Sequence, residues 1–173
     1  MEIKKFDISM VSEVVKLWNE NVVPYEIYAE FTDELFVGEI LKNPCFNEEG
    51  CVVAVEGNEI VGFATGSFRK NAEGKAVDPG FIHMLFVKRG YQRKGIGNKL
   101  MDVAEQIAGQ YADTVCLGVG LCDAYGTAQR MYVKRGYIPD GSGVWYQDKQ
   151  CVQYETVCTV DDDLVLFLSK KLR

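Results

Sequence analysis

The chain has 173 residues, of which 47% are hydrophobic and 25% charged, and its formal net charge is −6 at pH 7. This length suits one packed α/β domain over residues 1–173 and is short for two. The negative charge argues against a nucleic-acid partner, because phosphate backbones are bound by lysine and arginine spread over a wide face.

The location of the protein is predicted from its apolar segments and its cysteines. The segment Met1–Asp7 lacks the apolar core of a signal peptide, and no apolar run approaches the roughly 20 residues that span a bilayer. Six cysteines contain no Cys-x-x-Cys pair and lie in or beside apolar strands, which favours reduced, mostly buried thiols. We therefore expect a cytoplasmic protein without membrane association and, with a single histidine, without a metal site.

The first half of the chain predicts two helices and a hairpin. Residues 10–21 follow a candidate cap at Ser9, residues 32–41 start at a Thr32 cap, and both carry apolar residues at helical spacing. The β-rich runs 51–56 and 59–68 meet at Asn58 and predict the hairpin.

The second half alternates strands with helices. Strands are predicted at 81–87, 114–121 and 164–168, and helices at 97–110 and about 124–135. The first of these helices has an apolar face, and the opposite side carries Lys99, Asp102, Glu105 and Gln106. The strand at 114–121 has a nearly bare face of Cys116, Gly118, Gly120 and Cys122. Such a face admits either a close helix or a ligand.

The loop between the strand at 81–87 and the following helix predicts an anion site. Five cations and no anion occur between Lys88 and Lys99. Unpaired N–H groups and the dipole at a helix N-terminus favour negative charge there. A Walker A loop would need Gly-Lys-Ser/Thr where Gly95 is followed by Ile96, and a dinucleotide fingerprint would need a glycine at Leu100. The pattern instead indicates a local site for one diphosphate.

Two motifs resemble those of a known superfamily. The loop Gln92-Arg-Lys-Gly-Ile-Gly97 is similar to the Gln/Arg-x-x-Gly-x-Gly/Ala loop of the GNAT acyl-CoA N-acyltransferases. The segment Ala128-Gln-Arg-Met-Tyr-Val-Lys-Arg-Gly-Tyr137 resembles their second conserved helix and the strand after it. This resemblance implies an α/β fold with a mixed, mostly antiparallel sheet of about seven strands, an opening strand, a splayed central pair and about four helices.

The resemblance further implies acetyl-CoA as the acyl donor, with the pantetheine arm entering between the splayed strands. The coenzyme-binding residues would be Leu85, Phe86, Val87, Gln92, Arg93, Lys94, Gly95, Ile96, Gly97, Asn98, Tyr125 and Ala128. Tyr125 stands where many members carry an asparagine, so it would reshape the pocket, narrow its acyl end or donate its hydroxyl.

The same resemblance assigns two catalytic residues. Tyr132 would stabilise the departing thiolate, as a general acid if its pKa is lowered and otherwise by hydrogen bonding; a purely structural role in the core is the alternative. His83 would act as the base, or be a half-buried structural side chain. Phe81 stands where other members carry a glutamate, so ordered water is the fallback base. A covalent route through Cys122 and His83 is disfavoured, since the sequence shows no group that activates the thiol.

The acceptor is expected to be a primary amine, with a small molecule preferred over a protein N-terminus or lysine. Tyr25, Glu26 and Tyr28, aided by Glu30, Trp145 and Tyr146, would form its pocket through carboxylates and ring faces. A non-catalytic acyl-CoA-binding regulatory module is the alternative of another class. A homodimer through the late strands stays open.

Overall fold

The computed structural model describes residues 1–21, 30–42, 46–73 and 76–173. Within these ranges the strands are β1 (Glu2–Lys5), β2 (Phe46–Glu56), β3 (Glu59–Lys70), β4 (Ala76–Val87), β5 (Thr114–Gly120), β6 (Ile138–Tyr146), β7 (Lys149–Gln150) and β8 (Leu164–Lys171). The α-helices are α1 (Val11–Asn21), α2 (Asp33–Phe36), α3 (Ile96–Ala108) and α4 (Gly126–Lys134).

The eight strands form one sheet in the order β1-β2-β3-β4-β5-β8-β6-β7. Every neighbouring pair is antiparallel except β4 and β5, which run parallel. One face packs on α1 and α2 (the α1 face), and the other packs on α3 and on Tyr132 of α4 (the α3 face). The expected mixed α/β fold is confirmed, with eight strands instead of about seven.

The two N-terminal helices begin at side-chain caps. The Asp7 carboxylate accepts the Ser9 N–H at 2.9 Å, so Asp7 caps the 3₁₀ turn that leads into α1, and the predicted Ser9 cap was wrong. The Thr32 hydroxyl accepts the Leu35 N–H at 3.2 Å, as predicted. The predicted helix over 32–41 continues beyond Phe36 as a π-helical segment, Val37–Leu41.

The prediction missed β6 because its first half has the composition of a turn. Gly141 and Gly143 both have positive φ, 89° and 79°, conformations that glycine adopts at low cost. The strand accommodates them as an irregularity in its pairing with β8, between Pro139 and Val144. Residues beyond this irregularity rejoin the ladder, so Trp145 pairs with Val165.

Glu105 of α3 is buried in an ion-pair network, although the helical pattern placed it on the outer side. Its carboxylate receives Arg135 Nε at 2.9 Å and Lys170 Nζ at 2.6 Å, and only 9% of the residue is exposed. Arg135 also pairs with Asp102 at 2.8 Å and donates to the Asn98 carbonyl oxygen at 3.2 Å. The network therefore joins α3, the end of α4 and β8.

We expect Arg135→Ala to destabilise the protein strongly. Removing one partner of a buried pair leaves a charge without full compensation, which costs roughly 3 kcal/mol. The free energy of unfolding from urea titration measures this. Asp102→Ala is the control, because its carboxylate is 65% exposed and such a surface pair contributes about 1 kcal/mol or less. Equal losses in the two variants would contradict the assignment.

The same network predicts a pH dependence of stability. Burial alone would raise the pKa of Glu105, but the hydrogen bonds and charges of Arg135 and Lys170 outweigh it and hold the pKa below its ordinary value of 4.5. A folded-state pKa below the unfolded one stabilises the protein above pH 4.5, and this contribution is lost as pH falls through the folded value. Urea titrations at several pH values should show a shallower acid loss in Arg135→Ala.

Candidate functional site

The central strands β4 and β5 diverge. Only Gly80 and Phe81 of β4 are in register with β5, opposite Val115 and Cys116. Residues 82–87 of β4 have no partner on β5 in the described structure, whereas β5 stays paired with β8 as far as Gly120. The gap exposes backbone polar groups that a ladder would otherwise satisfy. This is the splayed central pair that the family resemblance implied.

A β-bulge lies in β4 beside the gap. Phe63 pairs with Phe86 and Thr65 with His83, so three residue steps on β4 oppose two on β3. Met84, within the bulge, has φ of +46°, a conformation that costs a non-glycine residue of order 1 to 3 kcal/mol. Met84 packs against the α1 face and Leu85 against the α3 face. The bulge thus sets which backbone groups of Leu85–Val87 face the gap.

The loop that follows β4 offers a run of free backbone donors. Among the described residues, the N–H groups of residues 93–98 have no acceptor, and the first subsequent bond runs from Lys99 N to Gly95 O at 3.1 Å. Arg93 has φ of +60° and Gly95 of +82°. Alternation of this kind turns successive N–H groups toward one concavity, which binds anions. The start of α3 adds its helix dipole.

The two loop glycines have different roles. The positive φ of Gly95 favours glycine, because a side chain there would strain the backbone. No such constraint applies at Gly97, since a Cβ there would lie 3.6 Å from Met131 Sδ, an ordinary contact. A side chain at Gly97 is therefore compatible with the fold, and its effect on an anion can be tested separately.

One cation of the loop forms ion pairs within the protein, whereas three others are exposed and could contact a bound anion. Lys88 is paired with Glu20 at 3.3 Å and with Glu59, so one of the five predicted cations is neutralised within the protein. Arg93, Lys94 and Lys99 are exposed and form no ion pair within the described structure, while Lys94 lies 5.0 Å from the Tyr91 ring centre.

Two of the predicted coenzyme residues use their side chains to hold the loop. Gln92 Nε2 donates to the Val87 carbonyl at 3.0 Å, and Asn98 Oδ1 accepts from Arg135 at 3.3 Å. Their contribution to a ligand would therefore come through the backbone or through loop geometry.

Tyr132 lies on the buried side of α4. It is 7% exposed, packs edge-on against Tyr137 at 5.8 Å between ring centres, and its hydroxyl makes no hydrogen bond with the described residues. Burial, and next the nearby charge of Tyr125, raise the pKa of Tyr132 to about 12. Ala128 is partly buried against the same core. Tyr132 is therefore a protonated donor.

Tyr125 occupies the end of β5. A Cβ at Gly120 would lie 2.5 Å from the Tyr125 ring, so the ring covers the space that Gly120 leaves. Gln129 Nε2 donates to the Gly120 carbonyl at 2.7 Å and ties α4 to this point. The predicted bare face of β5 is thus partly filled by Tyr125, while Gly118 stays exposed.

His83 is on the α1 face of β4. Its Nε2 is 2.8 Å from Ser67 Oγ, and its ring stacks on Phe81 at 5.7 Å with an interplanar angle of 11°. The residue is exposed, yet burial by surrounding protein lowers the pKa of His83 below its ordinary 6.5. Ser67 was missed by sequence reasoning; its polar position beside Thr65 on an apolar strand was the available signal.

Several other predictions concern the acceptor residues, the cysteines, metal ligands and membrane spans. Tyr25, Glu26 and Tyr28 lie outside the described residues. The five described cysteines form no disulfide, and the expectation that they are mostly buried was wrong, because Cys51 and Cys116 are buried whereas Cys122, Cys151 and Cys158 are not. No group of three or more potential metal ligands, and no helix long and apolar enough to cross a membrane, occurs in the described parts of the chain.

The mixed sheet with its splayed central pair and the adjoining loop of unpaired N–H groups match the acyltransferase fold that the sequence motifs resembled. A sequence model of the acetyltransferase (GNAT) family matches residues 14–137, and the chain belongs to this family. No curated protein sequence matches the chain.

Three solved structures are similar to the chain in fold. A GNAT acetyltransferase from Streptococcus pneumoniae has 15% identity and a TM-score of 0.69, with 99% of each chain covered. A ribosomal-protein-alanine N-acetyltransferase from Brucella melitensis has 17% identity and a TM-score of 0.70, covering 99% of this chain and 100% of that one. An aminoglycoside 6'-N-acetyltransferase complexed with coenzyme A has 18% identity and a TM-score of 0.64, covering 99% and 97%.

Proposed function

We propose that the protein transfers an acetyl group from acetyl-CoA to a small primary amine, directly and within a ternary complex. The observation that carries the proposal is the run of unpaired N–H groups at residues 93–98 beside the splayed strands. The diphosphate would bind these groups, with Arg93, Lys94 and Lys99 nearby, and the pantetheine arm would pair with the backbone of Leu85–Val87. We take residues 1–173 as one domain, because a single sheet contains strands from both ends of the chain.

The reaction joins the amine nitrogen to the thioester carbonyl carbon and breaks the carbon–sulfur bond. The attacking amine must lose a proton, since a primary ammonium has a pKa near about 10.4. His83 is neutral at pH 7 because its pKa is lowered. When Nε2 donates to Ser67, Nδ1 keeps a free lone pair and accepts the proton.

The leaving thiolate would receive a hydrogen bond from Tyr132. Transfer of the phenol proton is disfavoured, because a pKa of about 12 exceeds that of a thiol near 8.5 by about 3.5 units, or roughly 5 kcal/mol. Tyr132 therefore acts by charge stabilisation, and the thiolate takes its proton from solvent or remains ionised.

Acetyl-CoA should raise the melting temperature of the wild-type protein, and Gly97→Glu should abolish this shift. A ligand at one hundred times its Kd adds roughly 2.7 kcal/mol of stability. The Cβ of the glutamate is accommodated and its charge favours the helix start, but the same charge repels a diphosphate. Thermal unfolding with and without acetyl-CoA measures the effect.

Gly97→Gln is the matched control, because it adds a side chain of equal size without charge. It should retain more of the shift than Gly97→Glu. Absence of any shift in the wild type at millimolar acetyl-CoA would overturn the proposed function. Equal loss in both variants would assign the effect to size and not to an anion.

Two alternatives remain: an acetyltransferase with a different acceptor, and a non-catalytic acetyl-CoA-binding module. The similar structures include a ribosomal-protein-alanine and an aminoglycoside acetyltransferase, so a protein N-terminus is the second candidate acceptor. Thiol release measured with small amines and with short peptides separates the two. A non-catalytic module would bind acetyl-CoA without thiol release for any amine.

The described cysteines form no disulfide, which supports a reducing compartment, and we keep the cytoplasm as the expected location.

A further inference from the structure

On the α1 face of the sheet, Gly118 of β5 is exposed beside the point where β4 and β5 diverge. Cys116 pairs with Phe81, Gly118 with Phe167, and Gly120 with Val165, which also pairs with Trp145. Directly paired residues share a face, as do alternate residues along a strand. These side chains therefore lie on one face, the face of His83, and the bare Gly118 is exposed in the middle of a central strand.

Aromatic rings stand on both sides of this glycine. On one side His83 stacks on Phe81 at 5.7 Å. On the other, Trp145 and Phe167 pack edge to face, with ring centres 5.5 Å apart and planes at 88°. Trp145 Nε1 donates to Ser142 Oγ at 2.9 Å, which fixes its orientation. We name this surface the aromatic trough: Phe81, His83, Gly118, Trp145 and Phe167.

The parallel register places His83 level with Gly118, because Phe81 and Cys116 pair two residues earlier on each strand. His83 and Phe167 thus flank Gly118 at two strand spacings, about 10 Å, before the divergence of β4 widens the distance. The Phe167 ring borders this space directly, because it would lie 3.3 Å from a Cβ at Gly118. A flat ring over the glycine would therefore lie on the side toward His83. The gap in which the thioester would lie opens between His83 and Gly118, so the trough spans it.

We propose that the aromatic trough binds the acceptor, and that the acceptor is a primary amine carrying a planar apolar group on a short linker. This inference rests on the proposed function. The amine end lies at His83 and the ring lies over Gly118 against Phe167 and Trp145. Aromatic rings attract one another in edge-to-face and offset-stacked arrangements, and the rings of Phe167 and Trp145 can pair with the ring of the acceptor in these ways. The five trough residues carry no carboxylate, whereas a polycationic acceptor requires several.

The test compares two amines of equal charge, 2-phenylethylamine and n-butylamine, by acetyl-CoA-dependent thiol release. In the wild type, kcat/KM should be at least about tenfold higher for the aryl amine, since only it fills the trough. Trp145→Ala should remove most of this preference, because KM should rise for the aryl amine and stay unchanged for n-butylamine.

Gly118→Ala provides a second, smaller change. The added Cβ would lie 3.3 Å from the Phe167 ring. It would therefore occupy space above Gly118 and push the Phe167 ring aside. It should raise KM selectively for the aryl amine. Gly38→Ala is the matched control, because a Cβ there meets nothing within 4 Å and Gly38 lies outside the trough; it should leave KM unchanged for both amines.

The outcomes separate this inference from the proposed function. The acetyl-CoA melting shift reports both folding and coenzyme binding of each variant. If that shift is absent in the wild type, the proposed function fails and the inference with it. If the shift is present but the two amines react equally, or Trp145→Ala and Gly118→Ala leave the preference intact, the trough assignment alone is overturned. Faster reaction with kanamycin or with a short peptide than with the aryl amine overturns it as well.

Discussion

Replacement of Tyr132 with phenylalanine should lower kcat for acetyl transfer by about 100- to 1,000-fold, the usual cost of losing one donor to a developing negative charge. The Kd for acetyl-CoA should stay unchanged, because the donor acts on the charge that appears as the thiolate leaves. The phenyl ring preserves the packing against Tyr137. Steady-state kinetics with a saturating amine, together with acetyl-CoA titration, measure the two quantities.

Tyr137→Phe is the matched control, since it removes a neighbouring hydroxyl from the same core. Burial, and then the charge of Glu105, raise the pKa of Tyr137. Lys170 of the ion-pair network lies 5.6 Å from the centre of the Tyr137 ring, so this residue contacts the network. It should alter stability and leave kcat near the wild-type value. A kcat for Tyr132→Phe within about threefold of wild type, far short of the usual loss for such a donor, would assign Tyr132 to packing alone.

The second large effect is expected at His83. Replacing it with glutamine should lower kcat/KM for the amine by at least about 100-fold near pH 7, within the range for loss of a general base. In the wild type, kcat/KM should rise with pH through the lowered pKa of His83, below 6.5, and then level off. The variant should instead keep rising toward the pKa of the amine, near about 10.4, because only the free amine then reacts.

Ser67→Ala tests whether His83 needs its partner. Loss of the 2.8 Å contact frees the ring to rotate, so kcat should fall while the plateau in the pH profile remains. A plateau that survives in His83→Gln would show that the proton leaves by another route, such as ordered water. Identical profiles in Ser67→Ala and the wild type would limit Ser67 to a structural role.

Local sequence patterns predicted the positions of the loop before α3 and of α3 itself, while coenzyme binding by the loop stays a prediction. Gly95 and the cations around it indicated an anion site, and the structure adds a reason: the positive φ values at Arg93 and Gly95 leave the N–H groups of 93–98 unpaired. The helix α3 was placed to within two residues at either end by its apolar spacing. Both features depend on contacts within a few residues, which a sequence pattern contains.

For two residues, the tertiary environment determines a property that the sequence left open or placed wrongly. The sequence allowed Tyr132 to be an acid only if its pKa were lowered, and burial raises the pKa to about 12. Glu105 was placed opposite the apolar face, but Arg135 and Lys170 reach it from elements that are 30 and 65 residues away. Neither burial nor a distant partner is visible in the local spacing of a helix.

The sequence by itself determined the family, because the two family motifs are each specified by residues close together in the chain. The diphosphate-binding role of the loop and the role of Tyr132 stay predictions. The family resemblance implied that the central strands splay, but only the tertiary structure decided where they diverge, the contact between His83 and Ser67, and the aromatic trough. These arise from strand register: β4 follows β5 for two residues and then diverges, and Gly118 meets Phe167 across 49 positions of chain. Register depends on how the whole sheet packs, so no local pattern predicts it.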